Sequence, residues 1–186
     1  MKATRRFNAV AIVVAASLGL AAGSAQAEFF LKLGAIKGES TDPRHKDEIV
    51  VDSFQWGMGR TVATSMSFGG ATLGKLCVSA ITLTKQTDLA TTSLIANTAS
   101  GMNIAKAILI GRRSTGDAES FEYFRIELDN VKVGAFAISS GGDRPSESFS
   151  LSFTKARVVY TRQLDGGTSS PVETTIDLAK IGATSC

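Results

Sequence analysis

Phe149-Ser150-Leu151-Ser152-Phe153-Thr154-Lys155-Ala156-Arg157-Val158-Val159-Tyr160 is the stretch whose reading decides the fold. Phe149, Leu151 and Phe153 recur with the period of two that places side chains on one face of a strand. Ala156, Val158 and Tyr160 then continue with the opposite parity. A strand that keeps its apolar face inward changes parity only by inserting a residue, as a β-bulge or a bend. The same defect recurs upstream, where Phe121 and Tyr123 give way to Phe124, Ile126 and Leu128, and Val131 and Val133 flip once more. Strands bent this often suit a sheet that curls into a barrel better than a flat one.

Outward from that stretch, strand patterns dominate. Residues 29–33 alternate Phe29, Leu31 and Leu33 with Phe30 and Lys32, and residues 49–56, 76–85 and 104–112 are rich in β-branched and aromatic side chains. One segment reads as a helix. Thr87 or Asp88 caps its start, Leu89, Ile95, Ala96 and Ala99 supply apolar positions, and Gly101 stops it. The expected architecture is mainly β, a small bent-strand β-barrel with one flanking α-helix and no internal repeat.

The chain opens as an export signal does. Lys2, Arg5 and Arg6 form a basic start, residues 10–20 are almost unbroken apolar chain, and Ala25-Gln26-Ala27 offers small residues for signal peptidase. The expectation is a signal peptide over 1–27 and one domain over 28–186, secreted or periplasmic, with no stable membrane anchor after cleavage. Losing those three positive charges takes the formal net charge from +3 to zero. A nucleic-acid interface requires a surplus of clustered Lys and Arg, so nucleic acid is excluded as a partner. Cys77 and Cys186 are too few for a metal framework. They either pair in an oxidising compartment or leave Cys77 as a small buried hydrophobe.

Catalytic constellations are missing. Gly69, four residues, then Gly74-Lys75 imitates a phosphate loop, but Leu76 stands where Ser or Thr should hold magnesium, and a strand follows where a helix is required. His45 is the sole histidine and lies between Arg44 and Lys46, which predicts a solvated side chain. No nucleophile elbow accompanies it. Asp47 and Glu48 point to opposite sides of an extended chain. The expectation is a protein without enzymatic activity, cofactor or metal.

A second stretch carries a family likeness. Lys37-Gly38-Glu39-Ser40 leads through His45-Lys46 and Glu48-Ile49 into Ser53-Phe54-Gln55-Trp56-Gly57, an order that closely resembles the first strand pair of the haemolysin-coregulated protein (Hcp) family. Leu83-Thr84-Lys85 with Asp88 and Ala90 resembles that family's passage from strand to helix. Asp143-Arg144-Pro145 with Glu147 resembles the turn before its last long strand, and residues 151–160 resemble that strand. The likeness covers residues 29 to about 177.

The resemblance implies a subunit of the inner tube of type VI secretion systems: a β-barrel protomer, six to a ring, with rings stacked into a hollow tube. It implies self-association, with secretion spike, sheath and effector proteins as further partners, and carriage or chaperoning of small effectors in the lumen. The glycine-rich residues 57–75 then correspond to a long loop that reaches a neighbouring subunit, with Met58, Arg60, Met66, Phe68, Gly69 and Gly70 as its contact residues. Ser53 and Gln55, opposite Phe54 and Trp56, would face the lumen. Gln55 is longer than the small hydroxyl residue common at that place in the family. The alternative reading is a secreted binding or adhesion module that keeps the barrel but stands outside the secretion machine, because a tube subunit polymerises in the cytoplasm.

Overall fold

The computed structural model describes residues 27–65, 70–113, 121–142, 144–164 and 167–186. In chain order the strands are β1 (Ala27–Leu33), β2 (Ile49–Val51), β3 (Ser53–Gln55), β4 (Met58–Ser65), β5 (Gly70–Val78) and β6 (Ile81–Gln86). After the helix α1 (Thr91–Ser100) come β7 (Ile104–Arg113), β8 (Phe121–Ser139), β9 (Ser146–Ser152) and β10 (Lys155–Tyr160). The last elements are β11 (Gln163–Leu164), β12 (Gly167–Thr168), β13 (Val172–Asp177) and β14 (Thr184–Ser185). The main sheet runs β2-β1-β7-β8-β9-β6-β3, with β10 joining β8 to β13. Its two terminal strands, β2 and β3, are separated in the chain only by Asp52, whose N–H donates to the Thr84 carbonyl of β6 at 2.8 Å. The core lies inside this path, with Leu31, Leu33, Ile49, Leu83, Leu94, Leu109, Ile126, Leu128, Phe149 and Leu151 almost fully buried.

The parity changes correspond to physical bends. Gly111 pairs with Phe124, but Arg112 pairs with Glu122, so Tyr123 is the inserted residue that rotates β8. Glycine suits position 111, since a Cβ there would meet Phe29 at 2.9 Å and Tyr123 at 3.2 Å. Asn130 then takes a left-handed φ of 52°, a conformation that Asn tolerates better than most residues. At this corner β8 leaves β7 and begins to pair with β9. The neighbouring strand breaks at the same level: Phe153 and Thr154 separate β9 from β10, and Asn130 Nδ2 donates to Thr154 Oγ1 at 3.1 Å. A third irregularity falls between Val133 and Ala135.

Five expectations need correction. The apolar pattern over 49–56 is two short strands and that over 76–85 is also divided, by Ser79 and Ala80. Trp56 Nε1 donates to the Ser79 carbonyl at 3.2 Å and Ser79 N–H to the Gly57 carbonyl at 3.0 Å, pinning both breaks together. The helix begins at Thr91, after a turn in which Asp88 Oδ1 accepts from the Ala90 N–H at 2.9 Å and Thr91 Oγ1 accepts from the Asp88 N–H at 3.1 Å. Gly101 closes it as expected, with φ of 63° and an N–H donated to the Asn97 carbonyl at 3.0 Å. Its buried face is Leu94, with Ala90 just ahead of it, whereas Leu89, Ile95, Ala96 and Ala99 are exposed. Lastly, residues 57–75 are no structureless loop: β4 and β5 pair antiparallel along most of it.

Candidate assembly surfaces

Two of the family-like motifs meet in a buried ion cluster. Lys85, completely buried, lies next to the end of β6 with Nζ 2.7 Å from Glu147 Oε2 of β9 and 2.6 Å from Asp88 Oδ1. Nζ also donates to the Gln86 carbonyl at 3.0 Å, and Thr91 Oγ1 donates to Glu147 Oε1 at 2.7 Å. One ammonium therefore joins two strands to the first turn of the helix. Burying an ammonium and two carboxylates is tolerated because each has close partners.

His45 is also buried, at 6% exposure, against the expectation of a solvated side chain. Its ring stacks on Phe30 with centroids 4.5 Å apart, and Nδ1 lies 2.9 Å from Glu48 Oε2. The Arg112 guanidinium sits 5.5 Å from the Phe30 ring centroid and reaches Asp42 Oδ2 at 2.5 Å. Burial works to raise the Asp42 carboxyl, but hydrogen bonds from Arg112 and from the N–H groups of Arg44 and His45 outweigh it and hold the group below its usual range. The charged turn over 39–48 thus folds onto Phe30 and closes that side of β1.

The outer faces of the two halves of the sheet differ in chemistry. On β7, β8, β10 and β13 the outward side chains form a ladder of opposite charges. Lys106 lies 3.7 Å from both Glu127 and Asp129, Arg125 is 2.7 Å from Glu122 and 3.4 Å from Glu127, and Arg157 bridges Glu127 to Glu173. On β3, β6, β9 and the second half of β8, register aligns Ser53, Thr84, Ser148 and Ala137 in one row and Gln55, Thr82, Ser150 and Ala135 in the next. Neither row contains a charged side chain, and Ser53 Oγ lies 2.7 Å from Thr84 Oγ1. Ser53 and Gln55 are exposed on this face, while Phe54 and Trp56 are half-buried and packed against the core. No pattern within one strand signals the hydroxyl face, because it exists only once register places four strands side by side.

Of the other predicted contact residues, Met58, Arg60 and Gly70 are described, on the β4–β5 hairpin. Met58 and Arg60 are exposed on β4, and Arg60 Nη1 donates to the Gly74 carbonyl at 2.9 Å. Gly70 is the first residue of β5; Met66, Phe68 and Gly69 lie outside the described residues. Val62 and Leu73, which pair across the strands beyond the register shift, are exposed at 58% and 65%. Gly74 is required where register shifts, since a Cβ there would stand 2.1 Å from Thr61 Oγ1. The near phosphate-loop motif is part of this hairpin, with Lys75 in the middle of β5.

Cys77 and Cys186 form a disulfide, with Cα atoms 5.3 Å apart, which resolves the choice left open by the sequence. Among the described residues no group of three His, Cys, Asp or Glu side chains is placed to hold a metal, and no helix is long and apolar enough to cross a membrane.

Comparison with known proteins gives the family. The family model described as "Type VI secretion system effector, Hcp" matches residues 30–160. The Pseudomonas aeruginosa protein Hcp1 is 34% identical over 143 residues, covering 75% of this chain and 86% of its own length. Among solved structures, one described as a type six secretion system protein superposes with a TM-score of 0.76 at 26% identity, over 83% of this chain and 97% of its own. Hcp1 of Salmonella typhimurium follows at 0.69, with the same identity and coverage. By the extent of the family match and the identity to the Pseudomonas relative, the chain belongs to the Hcp family.

Proposed function

We propose that this chain is an exported, ring-forming structural protein of the type VI inner-tube kind, with its sheet closed into a barrel and six copies in a ring. The observation that carries the reading is the division of the outer surface. Two uncharged rows, Ser53, Thr84, Ser148 and Ala137 beside Gln55, Thr82, Ser150 and Ala135, with Lys132 opposite Ser152 at their border, suit a lumen that carries small effectors, because the rows themselves offer no strong ionic trap. The hairpin of β4 and β5 supplies the contact to a neighbouring subunit or ring. Met58, Val62 and Leu73 are apolar and exposed there, and covering a large apolar side chain is worth about 1.5–3 kcal/mol. Barrel closure is supported by the chain adjacency of β2 and β3 and by the bends that β8 shares with its neighbours.

Residues 1–27 act in this reading as a cleaved signal peptide, leaving Glu28 as the first residue. A disulfide in the folded domain agrees with life in an oxidising compartment. The same two features favour a second reading, an exported Hcp-like binding module working outside the secretion machine. Electron microscopy of the protein recovered from the periplasm or medium separates the two. Six-membered rings of molecules whose intact mass begins at Glu28 support the first reading. Isolated monomers of that mass support the second, and a cytoplasmic pool retaining residues 1–27 contradicts export.

A further inference from the structure

The family match ends at residue 160, yet the chain continues into ordered structure. β13 pairs with β10 from Val172 opposite Tyr160 to Asp177 opposite Lys155, adding a strand to the main sheet. A tight turn follows, in which the Ile181 N–H donates to the Asp177 carbonyl at 3.1 Å and Gly182 takes a φ of 59°. Leu178 and Ala183 pack against the core. The chain then crosses to the hairpin, where β14 runs parallel to β5 with Thr184 opposite Cys77 and Ser185 opposite Val78. The Cys186 N–H reaches the Val78 carbonyl at 3.3 Å, and its sulfur is bonded to Cys77.

The hairpin otherwise has little to hold its direction. Its three-stranded sheet, β14-β5-β4, is separate from the main one. Its root is held by the Trp56–Gly57 contacts to Ser79 and by the half-buried Leu76 and buried Val78. Farther from the root, Val62 and Leu73 are exposed. We propose that residues 178–186 form a disulfide-held strap that fixes the β4–β5 hairpin at its root, so that the hairpin's stance depends on the oxidation state of Cys77 and Cys186. The consequence for assembly rests on the reading that the hairpin makes inter-subunit contacts, while the restraint itself does not.

The chemistry is a two-electron thiol–disulfide exchange. The Cys77 and Cys186 thiols lose two protons and form one S–S bond, while a donor disulfide is reduced to a dithiol; a dithiol reductant reverses the step. Two β-bridges in β14 are too few to hold a strand by themselves, as even an isolated hairpin is marginal in water. With the bond cut, the strap peels from β5 and the root of the hairpin opens locally while the barrel stays closed, the kind of sub-global opening that amide exchange resolves. In an oxidising compartment the strap is closed, and in a reducing one it is open.

Hydrogen–deuterium exchange on the folded protein, expressed from Met1 and recovered oxidised, tests this against the same sample treated with a phosphine or dithiol reductant. Amides of residues 57–60 and 76–79 are expected to exchange on the order of tenfold faster after reduction, with residues 104–113 and 124–131 unchanged. The variant Cys186→Ser, which leaves Cys77 in place, should reproduce the effect without reductant. Sedimentation of the same samples reads the consequence, with smaller species expected after reduction. Unchanged exchange at the hairpin root in both the reduced and the variant protein overturns the strap. An oxidised protein that is monomeric from the outset overturns the ring reading and leaves the exchange result to decide the strap alone. Loss of protection throughout on reduction also overturns it, because the bond would then hold the whole domain.

Discussion

Lys85 shows how one side chain ties the fold together. Its ammonium is fully buried between Glu147 and Asp88, so its value depends on all three charges being present. Replacing Lys85 by Met strands Glu147 as an uncompensated buried carboxylate, which costs about 3–5 kcal/mol. The urea midpoint should fall accordingly, and Lys85→Met with Glu147→Leu should recover part of the loss. Asp42 makes a pH prediction. Its carboxyl is held below the ordinary range in the folded state, so its contribution is fully present above the unfolded value of about 3.9 and is lost as pH falls through the lower folded value. Acid titration of stability should show Asp42→Asn weaker than the parent at neutral pH, with the two curves converging in strong acid. Lys85 and Asp88 belong to one family-like motif of the sequence and Glu147 to another, but nothing local reveals that the two converge, because pairing of β6 with β9 brings Glu147 to Lys85. His45 was illegible for a related reason. Its charged neighbours suggest solvent, while the stacking on Phe30 that buries it comes from a fold of the turn that no periodicity encodes.

Strand periodicity exposed the bends because a bulge shifts the parity of every side chain beyond it, and Tyr123 is such a residue. The hairpin was less legible: residues 57–75 are rich in glycine and carry no continuous alternation, so the pairing of β4 with β5 rests on backbone register more than on an apolar face. The helix was misassigned by face. Leu94 is the side chain it buries, and the apolar residues around it stay in solvent. At this scale the hairpin carries the account. Val62→Ser with Leu73→Ser should dissociate the assembly and leave the far-ultraviolet circular dichroism unchanged, since neither side chain lies in the core. Met66→Ser with Phe68→Ser should weaken assembly in the same assay. Assembly that persists in both variants would assign the contact to another surface.

For the molecule as a whole, the family and its β-rich fold were legible because the matching motifs follow one another in order along most of the chain. The two-faced exterior was not, because it depends on four strands in register. If the hydroxyl face lines a lumen, Thr82→Lys places one charge per subunit on that wall, and rings should still form. The central claim is that this chain closes into a ring through its own copies, and sedimentation velocity of the oxidised protein at tens of micromolar tests it most directly. The account predicts one dominant species of six subunits with rings visible in the same fraction, and a single monomeric boundary across the whole concentration range would contradict it.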